Sequence, residues 1–488
     1  MAKSKTPSFI LTLYLKTELY QENLIDKEFE KYRRIYNACI SELYKRYNHM
    51  KESKIYQENC KYRGKDRNKK FNNINKQYGL TEYSFHDYVK LMNKHFKTNS
   101  FITQKIATRA FNAFQKLMLH KADKIKFKSY GTLDSIESKN NTTGIIYKNG
   151  YIKFLDFQIP IIIKPNDKYA QMAIQSRVKF CRLLIKEIKG KKRYYIQLIL
   201  EGIPPKKINK DGEIIGDIGQ GNVGIDIGTR TIAYSSQYEV GLNELSPETN
   251  GVDKQLKILQ RKMDRSKRAT NPNKYNENGI INIKNKDKWI YSNHYIKVRN
   301  IRKELYRKQR EIRKQSHYKS INHLLSLGDK FYVETMNYKG LQKKSKKTIK
   351  NKNGRYNKKK RFGKSLGNKA PAMFLSMLDQ KLKYNNEQLY KIDTYNVKAS
   401  QYNHIEDKFI KKELGERWND FYYNDEQVKI QRDLYSAFLI MNVNNNLKSI
   451  DRDKCIKTFN NFKEFHDKEI ERIKLDKNNK RIIKSMGI

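Results

Sequence analysis

Val223-Gly-Ile-Asp226-Ile-Gly228-Thr-Arg-Thr-Ile-Ala-Tyr-Ser-Ser236 is the stretch on which the reading of this chain turns. Val223, Ile225 and Ile227 alternate with Gly224 and Asp226, the period-two signature of a strand. Gly228 supplies a turn, and Thr231 to Ser236 reads as the returning strand. Asp226 therefore sits within an apolar strand, where an unpaired carboxylate is costly. Two readings are open at this point. The carboxylate lies at an edge or pairs with a lysine, or it ligates a metal ion that offsets the desolvation. On the second reading the small Gly224 and Gly228 would leave room for a phosphate to approach.

Composition narrows the partner. The chain has 488 residues, with 103 Lys and Arg against 51 Asp and Glu, for a net charge of +52. Such an excess calls for a polyanion. The cations are interleaved with 34 Tyr and 21 Phe, and rings beside cations suit nucleic acid, since bases stack while phosphates meet Lys and Arg. An anionic membrane surface is the competing class. No apolar run is long enough to span a bilayer, and Met1-Ala-Lys-Ser-Lys leads into a strand without a signal peptide, so the expected compartment is the cytoplasm. Cys39, Cys60, Cys181 and Cys455 lie far apart with no C-x-x-C pair. That excludes a cysteine-only zinc ribbon of standard spacing and fits a reducing compartment.

Upstream of the central stretch, Phe9 to Lys16 reads as a strand and residues 22 to 53 as a helix. Residues 61–80 read as a polar loop, and Tyr83 to Phe96 and Phe101 to His120 as two further helices. The last of these has an apolar face, with Gln104, Lys105, Arg109 and Lys116 on the other side. Strand patterns then occupy Gly144 to Phe157, Ile159 to Ile163, Ser176 to Ile188 and Lys192 to Leu200. Gly202 to Asn222 reads as a linker. Downstream, Val252 to Arg268 and residues 294 to 327 read as basic helices. Lys330 to Glu334 is a short apolar strand ending on a carboxylate. Ala372 to Tyr390 is expected to be a helix, Lys391 to Ser400 a strand, and Gln427 to Val443 an apolar helix with Asp433 near its start. Residues 343 to 364 carry twelve Lys and Arg and no acid, a block expected to contact nucleic acid or to be simply solvated.

Three motif matches fail on context. Gly219-Gln-Gly221-Asn-Val-Gly224 spells a dinucleotide fingerprint, but a strand follows it where a helix is required. Gly363-Lys-Ser365-Leu-Gly367 spells a nucleophile elbow without a strand leading into it. Gly363-Lys364-Ser365 ends like a phosphate-binding loop, but Lys358 stands where its first glycine should be.

Asp226, Glu334 and Asp433 share one context, an acid beside apolar or small residues on a short regular element. Such a set can hold two divalent ions about 4 Å apart, which activate a water and stabilise the leaving oxygen of a phosphodiester. Oxygen-only ligands and incomplete protein coordination favour Mg²⁺.

Gly-Ile-Asp226-Ile-Gly, Val-Glu334-Thr-Met-Asn-Tyr-Lys-Gly-Leu and Arg-Asp433-Leu-Tyr-Ser-Ala together resemble the three RuvC motifs of TnpB, the transposon-encoded RNA-guided DNA nuclease family related to compact type V CRISPR effectors. Lys124-Ile-Lys-Phe-Lys-Ser and Ser135-Ile-Glu-Ser-Lys are similar to a basic segment of that family. The resemblance implies an α+β, bilobed protein: a β-barrel wedge domain with an inserted helical recognition domain, and an RNase H-like RuvC nuclease domain. It implies wedge strands at 1–20 and 123–203 around a recognition domain at 21–122, then a linker at 204–222. RuvC would occupy 223–400, an insert 401–430, the third motif 431–445 and a basic tail 446–488. The implied catalytic and metal-holding residues are Asp226, Glu334 and Asp433, with two Mg²⁺ ions as cofactor. The implied partners are a guide RNA and double-stranded target DNA. Gln104 is expected near the motif flanking the target, and Arg109 is expected to contact nucleic acid. Lys343, Lys344, Lys346, Lys347, Arg355 and Arg361 are expected on the guide–target duplex or the substrate strand. Two departures stand out. Gln401 to Ile430 holds no cysteine where the family has a four-cysteine zinc ribbon, and His404 alone could not hold zinc, so zinc is not expected. Tyr435 stands where the third motif usually has Asn. A repressor without cleavage and a CRISPR effector of the same chemistry are the alternatives.

Overall fold

The computed structural model describes residues 6–209, 213–343, 362–411, 413, 415–476 and 486–488. The chain divides into two compact units, Met1–Ile208 and Asn209–Ile488.

The first unit begins with β1 (Ser8–Leu15), whose alternation is visible in its burial. Phe9, Leu11, Leu13 and Leu15 face inward, while Ser8 and Ile10 face out. Five helices follow before the next strand: α1 (Leu19–Glu52), α2 (Lys54–Lys61), α3 (Gly64–Gln77), α4 (Glu82–Phe96) and α5 (Ser100–Met118). Ile102, Ile106, Ala110 and Phe114 of α5 are buried, and Tyr44 and Tyr47 of α1 meet Phe114 edge-on. The stretch 61–80, expected to be a loop, is mostly the helix α3. Its Lys- and Asn-rich sequence carries almost no apolar stripe, and Ile74 is its one buried position. Tyr56 of α2 packs edge-on against Phe71, a contact between neighbouring helices that periodicity within one segment does not reveal.

The chain then returns to strands: β2 (Ser135–Glu137), β3 (Ile145–Lys148), β4 (Tyr151–Phe154) and β5 (Phe157–Ile162), a short helix α6 (Lys168–Ala173), then β6 (Val178–Ile188), β7 (Lys191–Glu201) and β8 (Lys207–Ile208). Seven strands form one antiparallel sheet in the order β2-β6-β7-β1-β5-β4-β3. The sheet curls into a half-barrel. Buried Ser138 donates to the Ile145 carbonyl at 3.2 Å and to the Cys181 carbonyl at 3.3 Å, drawing opposite margins together. A strand, a helical insertion and a return to the same sheet is the order read from the sequence.

The second unit contains β9 (Ile214–Ile215), β10 (Asn222–Ile227), β11 (Thr231–Ser235) and β12 (Val240–Glu244). Two long helices follow, α7 (Val252–Thr270) and α8 (Asn293–Leu327), then β13 (Lys330–Glu334), α9 (Tyr338–Leu341), α10 (Gly363–Lys369), α11 (Pro371–Tyr384), β14 (Leu389–Ile392) and α12 (Thr394–Val397). Four short strands come next, β15 (Tyr402–Asn403), β16 (Lys408–Phe409), β17 (Trp418–Tyr423) and β18 (Glu426–Gln431). The helices α13 (Arg432–Met441) and α14 (Arg452–Leu475) complete the unit. A mixed five-stranded sheet runs in the order β12-β11-β10-β13-β14. β10, β11 and β12 form an antiparallel meander, and β13 and β14 join parallel to β10.

Both faces of this sheet are covered. Val223, Ile225 and Ile227 on one face join Ile321, Leu324, Phe374 and Leu378 of α8 and α11. Ala233, Leu242 and Tyr332 on the other join Leu434, Phe438, Phe459 and Phe462 of α13 and α14. A sheet buried on both sides loses clean alternation, which is why Thr231 to Ser235 is buried at every residue.

Three boundaries differ from expectation. The helix of Ala372 to Tyr390 ends at Tyr384, and β14 begins at Leu389. Of the strand expected at Lys391 to Ser400 only Lys391 and Ile392 fall in β14, and Asp393 caps α12 by accepting from Tyr395 and Asn396. Gln427 to Gln431 is the strand β18, and the helix begins at Arg432. Val428 and Ile430 alternate with Gln427, Lys429 and Gln431, a period-two strand signal beside the apolar helix that follows, and the segment pairs with β17. Gly363 to Lys369, spelled like an elbow, is the helix α10.

Candidate metal-dependent active site

The register of the second sheet brings two of the acids side by side. Ile225 of β10 pairs with Val333 of β13 in parallel. Asp226 and Glu334 are the next residues along neighbouring strands, so they share one face about 4.8 Å apart at the backbone. Gly224, two residues earlier, lies on the same face, and that face is covered by α13.

Gly224 explains how closely. A Cβ added there would lie 2.1 Å from the Ala437 carbonyl oxygen and 2.3 Å from the Met441 nitrogen. The helix backbone rests directly on the strand, which only glycine allows. The glycine expected to admit a phosphate thus admits a helix, and Gly228 is the more open of the two. Contact at Gly224 also fixes the alignment. The Asn222 amide reaches the Met441 carbonyl at 3.5 Å, while Gly224 abuts Ala437. The helix therefore runs opposite to the strand. Four residues back along α13 is about 6 Å, and two residues on along β10 is about 6.6 Å. That arithmetic brings Asp433 abreast of Asp226.

Asp433 lies in the first turn of α13, where exposed N–H groups favour a carboxylate. The turn is held by Gln431, whose side-chain oxygen accepts from Asp433 N–H at 2.7 Å and Leu434 N–H at 2.9 Å. Gln431 is in turn anchored by α14. Its backbone N–H donates to His466 Nε2 at 3.0 Å, and His466 Nδ1 donates to Asp467 at 2.8 Å. Gln431 and His466 are both buried. Arg432 Nε lies 3.5 Å from one Asp433 oxygen and an Arg417 nitrogen 3.9 Å from the other.

Electrostatics couples the three acids. Burial, then the negative charges of Asp433 and Glu334, hold the Asp226 carboxyl well above the usual carboxylate range, and Arg432 opposes this. Burial likewise raises Glu334. Carboxylates that resist joint ionisation are the electrostatic situation a divalent cation relieves. Among the described residues no three His, Cys, Asp or Glu side chains close into a ready metal cage. The donor chemistry nonetheless fits a hard cation with incomplete protein coordination, since all three groups offer oxygen.

Tyr338, in the short helix after β13, is a site residue that the sequence did not single out. Burial and the nearby Asp226 charge push its hydroxyl up to about 12, and its oxygen is buried without a hydrogen-bond partner among the described residues. A tyrosine inside a short apolar motif carries no signal of its own. Arg417, in the insert, and Arg432, beside Asp433, are likewise not singled out by the sequence.

The insert folds around aromatics. Phe421, Val428 and Ile430 join Tyr435, Phe438 and Phe459 in one core. His404 is fully buried, with its ring 4.8 Å from that of Phe459. Its Nδ1 lies 2.6 Å from the Tyr435 hydroxyl, which also accepts from His404 N–H at 3.2 Å. Burial first, then Arg452, depresses the imidazole to about 4, so it is neutral and accepts from the Tyr435 hydroxyl. Tyr435, the departure in the third motif, ties the insert to α13.

The remaining expected residues scatter. Gln104 accepts from Lys139. Arg109 donates to the Ser135 carbonyl at 2.9 Å and lies 3.6 Å from Asp134. Lys105 lies 3.7 Å from Glu137. This side of α5 thus packs on residues 134–139 and is not merely solvated. Lys343 is exposed. Lys344, Lys346, Lys347, Arg355 and Arg361 lie outside the described residues. No described helix is long and apolar enough to cross a membrane.

No known protein family and no curated protein matches the chain. Among solved structures it is similar to one described as the Cas12f1-sgRNA-target DNA complex, with 10% identity, 88% of this chain and 84% of that chain covered, and a TM-score of 0.48. It is also similar to a CRISPR-Cas12f ternary complex, with 13% identity, 87% and 82% coverage, and a TM-score of 0.27.

Proposed function

We propose that this chain is an RNA-guided DNA endonuclease of the TnpB type, cutting DNA that pairs with a bound guide RNA. The observation that carries the reading is the meeting of Asp226, Glu334 and the start of α13, with Asp433, on one face of a mixed sheet. The strand order, three antiparallel strands extended by two parallel ones, supports an RNase H-like nuclease domain. The net charge of +52 supports a nucleic-acid partner, here a guide RNA and double-stranded target DNA.

Asp226, Glu334 and Asp433 would hold two Mg²⁺ ions, which when bound supply an activated water and charge stabilisation at the leaving oxygen. The chain's own residues do the positioning. β10 and β13 fix two carboxylates by register, and Gly224 sets the helix against the strand. Gln431 and His466 hold the first turn of α13, and Arg417 and Arg432 flank Asp433. Sequence choice would rest on base pairing with the guide, the protein reading only a short flanking motif.

The test begins with the RNA that co-purifies with the protein. Sequencing it identifies the guide, and DNA matching its variable end is then offered with Mg²⁺. Cleavage at a fixed position in matched but not mismatched DNA supports the reading. A protein that purifies free of RNA, or cuts regardless of match, contradicts it.

A further inference from the structure

Residues 486–488 close against the insert where it meets the start of α13. Met486 is buried in the core that holds Phe421, Leu434 and Phe459, and Ile488 packs on the same core. Gly487, between them, accepts a hydrogen bond from the Trp418 indole Nε1 at 2.7 Å. Its φ is +69°, and a Cβ there would lie 3.2 Å from Arg417 Cβ and 3.4 Å from Arg417 Cγ. Glycine therefore serves both the left-handed backbone and the close approach. Arg417 and Trp418 are in turn joined to the first turn of α13. The Arg417 carbonyl accepts from Arg432 N–H at 2.9 Å, and Trp418 of β17 stands opposite Gln431 of β18. Gln431 caps the turn that carries Asp433. The Trp418 ring also meets His466 edge-on at 6.2 Å, and His466 accepts the Gln431 N–H. The Arg417 guanidinium comes within 3.9 Å of Asp433.

We propose that residues 486–488 are a clasp that positions Asp433 for the reaction, with Gly487 and Trp418 as its positioning residues, a role that rests on the nuclease reading above. Helix ends fray, and Asp433 sits in the first turn of α13, so whatever holds that turn sets the place of the carboxylate. The clasp reaches the turn through the Arg417 stem, through the β17–β18 pair and through His466.

The test uses the full protein with its co-purified RNA. Trp289 and Trp418 are the only two tryptophans, so in a Trp289→Phe background indole emission reports on Trp418 alone. Gly487→Val puts a β-branched residue at a left-handed φ, with its Cβ against the Arg417 stem. It should shift the emission and raise its quenching by acrylamide. Single-turnover cutting of matched DNA should slow about tenfold, as for a displacement of less than about 1 Å at a reacting group. The target concentration at half-maximal rate should stay within about twofold. Partial unfolding does not give that split, since it lowers the amplitude of cutting and not its rate. Trp418→Phe, which keeps an aromatic ring but removes the indole N–H, should also slow cutting. Joined to Gly487→Val it should add little, because both changes release one contact. Undiminished cutting by Gly487→Val, unchanged emission, or losses that multiply overturn the clasp and leave the nuclease reading intact. A parent complex that never cuts matched DNA overturns the nuclease reading, and the positioning role falls with it.

Discussion

Gly224→Ala tests the packing that puts Asp433 beside Asp226. The new methyl would sit 2.1 Å from the Ala437 oxygen, 2.3 Å from the Met441 nitrogen and 2.8 Å from the Met441 Cα. These atoms are backbone, so no side-chain rotation relieves them. An ordinary nonbonded contact is roughly 3.5 Å, so α13 must retreat by roughly 1 Å or more. Overpacking of this kind costs about 1–3 kcal/mol. The effect on chemistry is larger than the effect on folding, since a misplacement of roughly 1 Å at a reacting group costs about 100-fold. Single-turnover cleavage of matched DNA by the preassembled complex should therefore fall about 100-fold, with RNA binding retained and a thermal midpoint lowered by a few degrees. Cleavage within about threefold of the parent by a folded Gly224→Ala protein would refute the helix-on-strand alignment and the adjacency drawn from it.

His466→Ala removes the acceptor for the buried Gln431 N–H, an unmet group worth about 1–3 kcal/mol. It should slow cleavage without touching DNA, and His466→Gln should recover part of the rate; equal rates in parent and His466→Ala would remove α14 from the positioning of Asp433. His404 is neutral in the fold, depressed to about 4 from its ordinary 6.5. An unfolded chain takes up that proton first, so the stabilisation is complete above pH 6.5 and is lost as pH falls towards 4, by up to about 3 kcal/mol. The thermal midpoint of the parent should fall across that window relative to His404→Phe, and parallel curves would show the imidazole to be protonated freely in the fold. The insert is held by Phe421, Tyr435 and Phe459, so elemental analysis should find well under one zinc per chain; one tightly held zinc would reveal ligands not recognised among these residues.

The central hairpin was legible because its two strands announce themselves by alternation and by a carboxylate that an apolar strand does not ordinarily carry. Glu334 was legible for the same reason. Register was not: nothing in the letters of Lys330 to Glu334 says that β13 lies parallel to β10, and only the pairing of Ile225 with Val333 puts the acids on adjacent rungs. Gly224 was noticed, but its purpose was misassigned, since smallness alone does not say which backbone comes close. Gln427 to Gln431 does carry a strand signal, since Val428 and Ile430 alternate with polar residues, but the segment is short and runs without a turn residue into the apolar helix that follows. The tie between Tyr435 and His404, and the chain from Asp467 through His466 to Gln431, join residues distant in sequence, so local periodicity carries no trace of them.

The most direct measurement is the rate at which the purified complex cuts matched DNA with Mg²⁺, for the parent and for Asp226→Ala, Glu334→Ala and Asp433→Ala. RNA and target binding are followed in parallel. The account predicts that each substitution abolishes cutting while binding stays within a few-fold, and that EDTA stops the parent until Mg²⁺ is restored. Undiminished cutting by any one folded variant would remove that residue from the site, and undiminished cutting by Asp226→Ala would contradict the account as a whole.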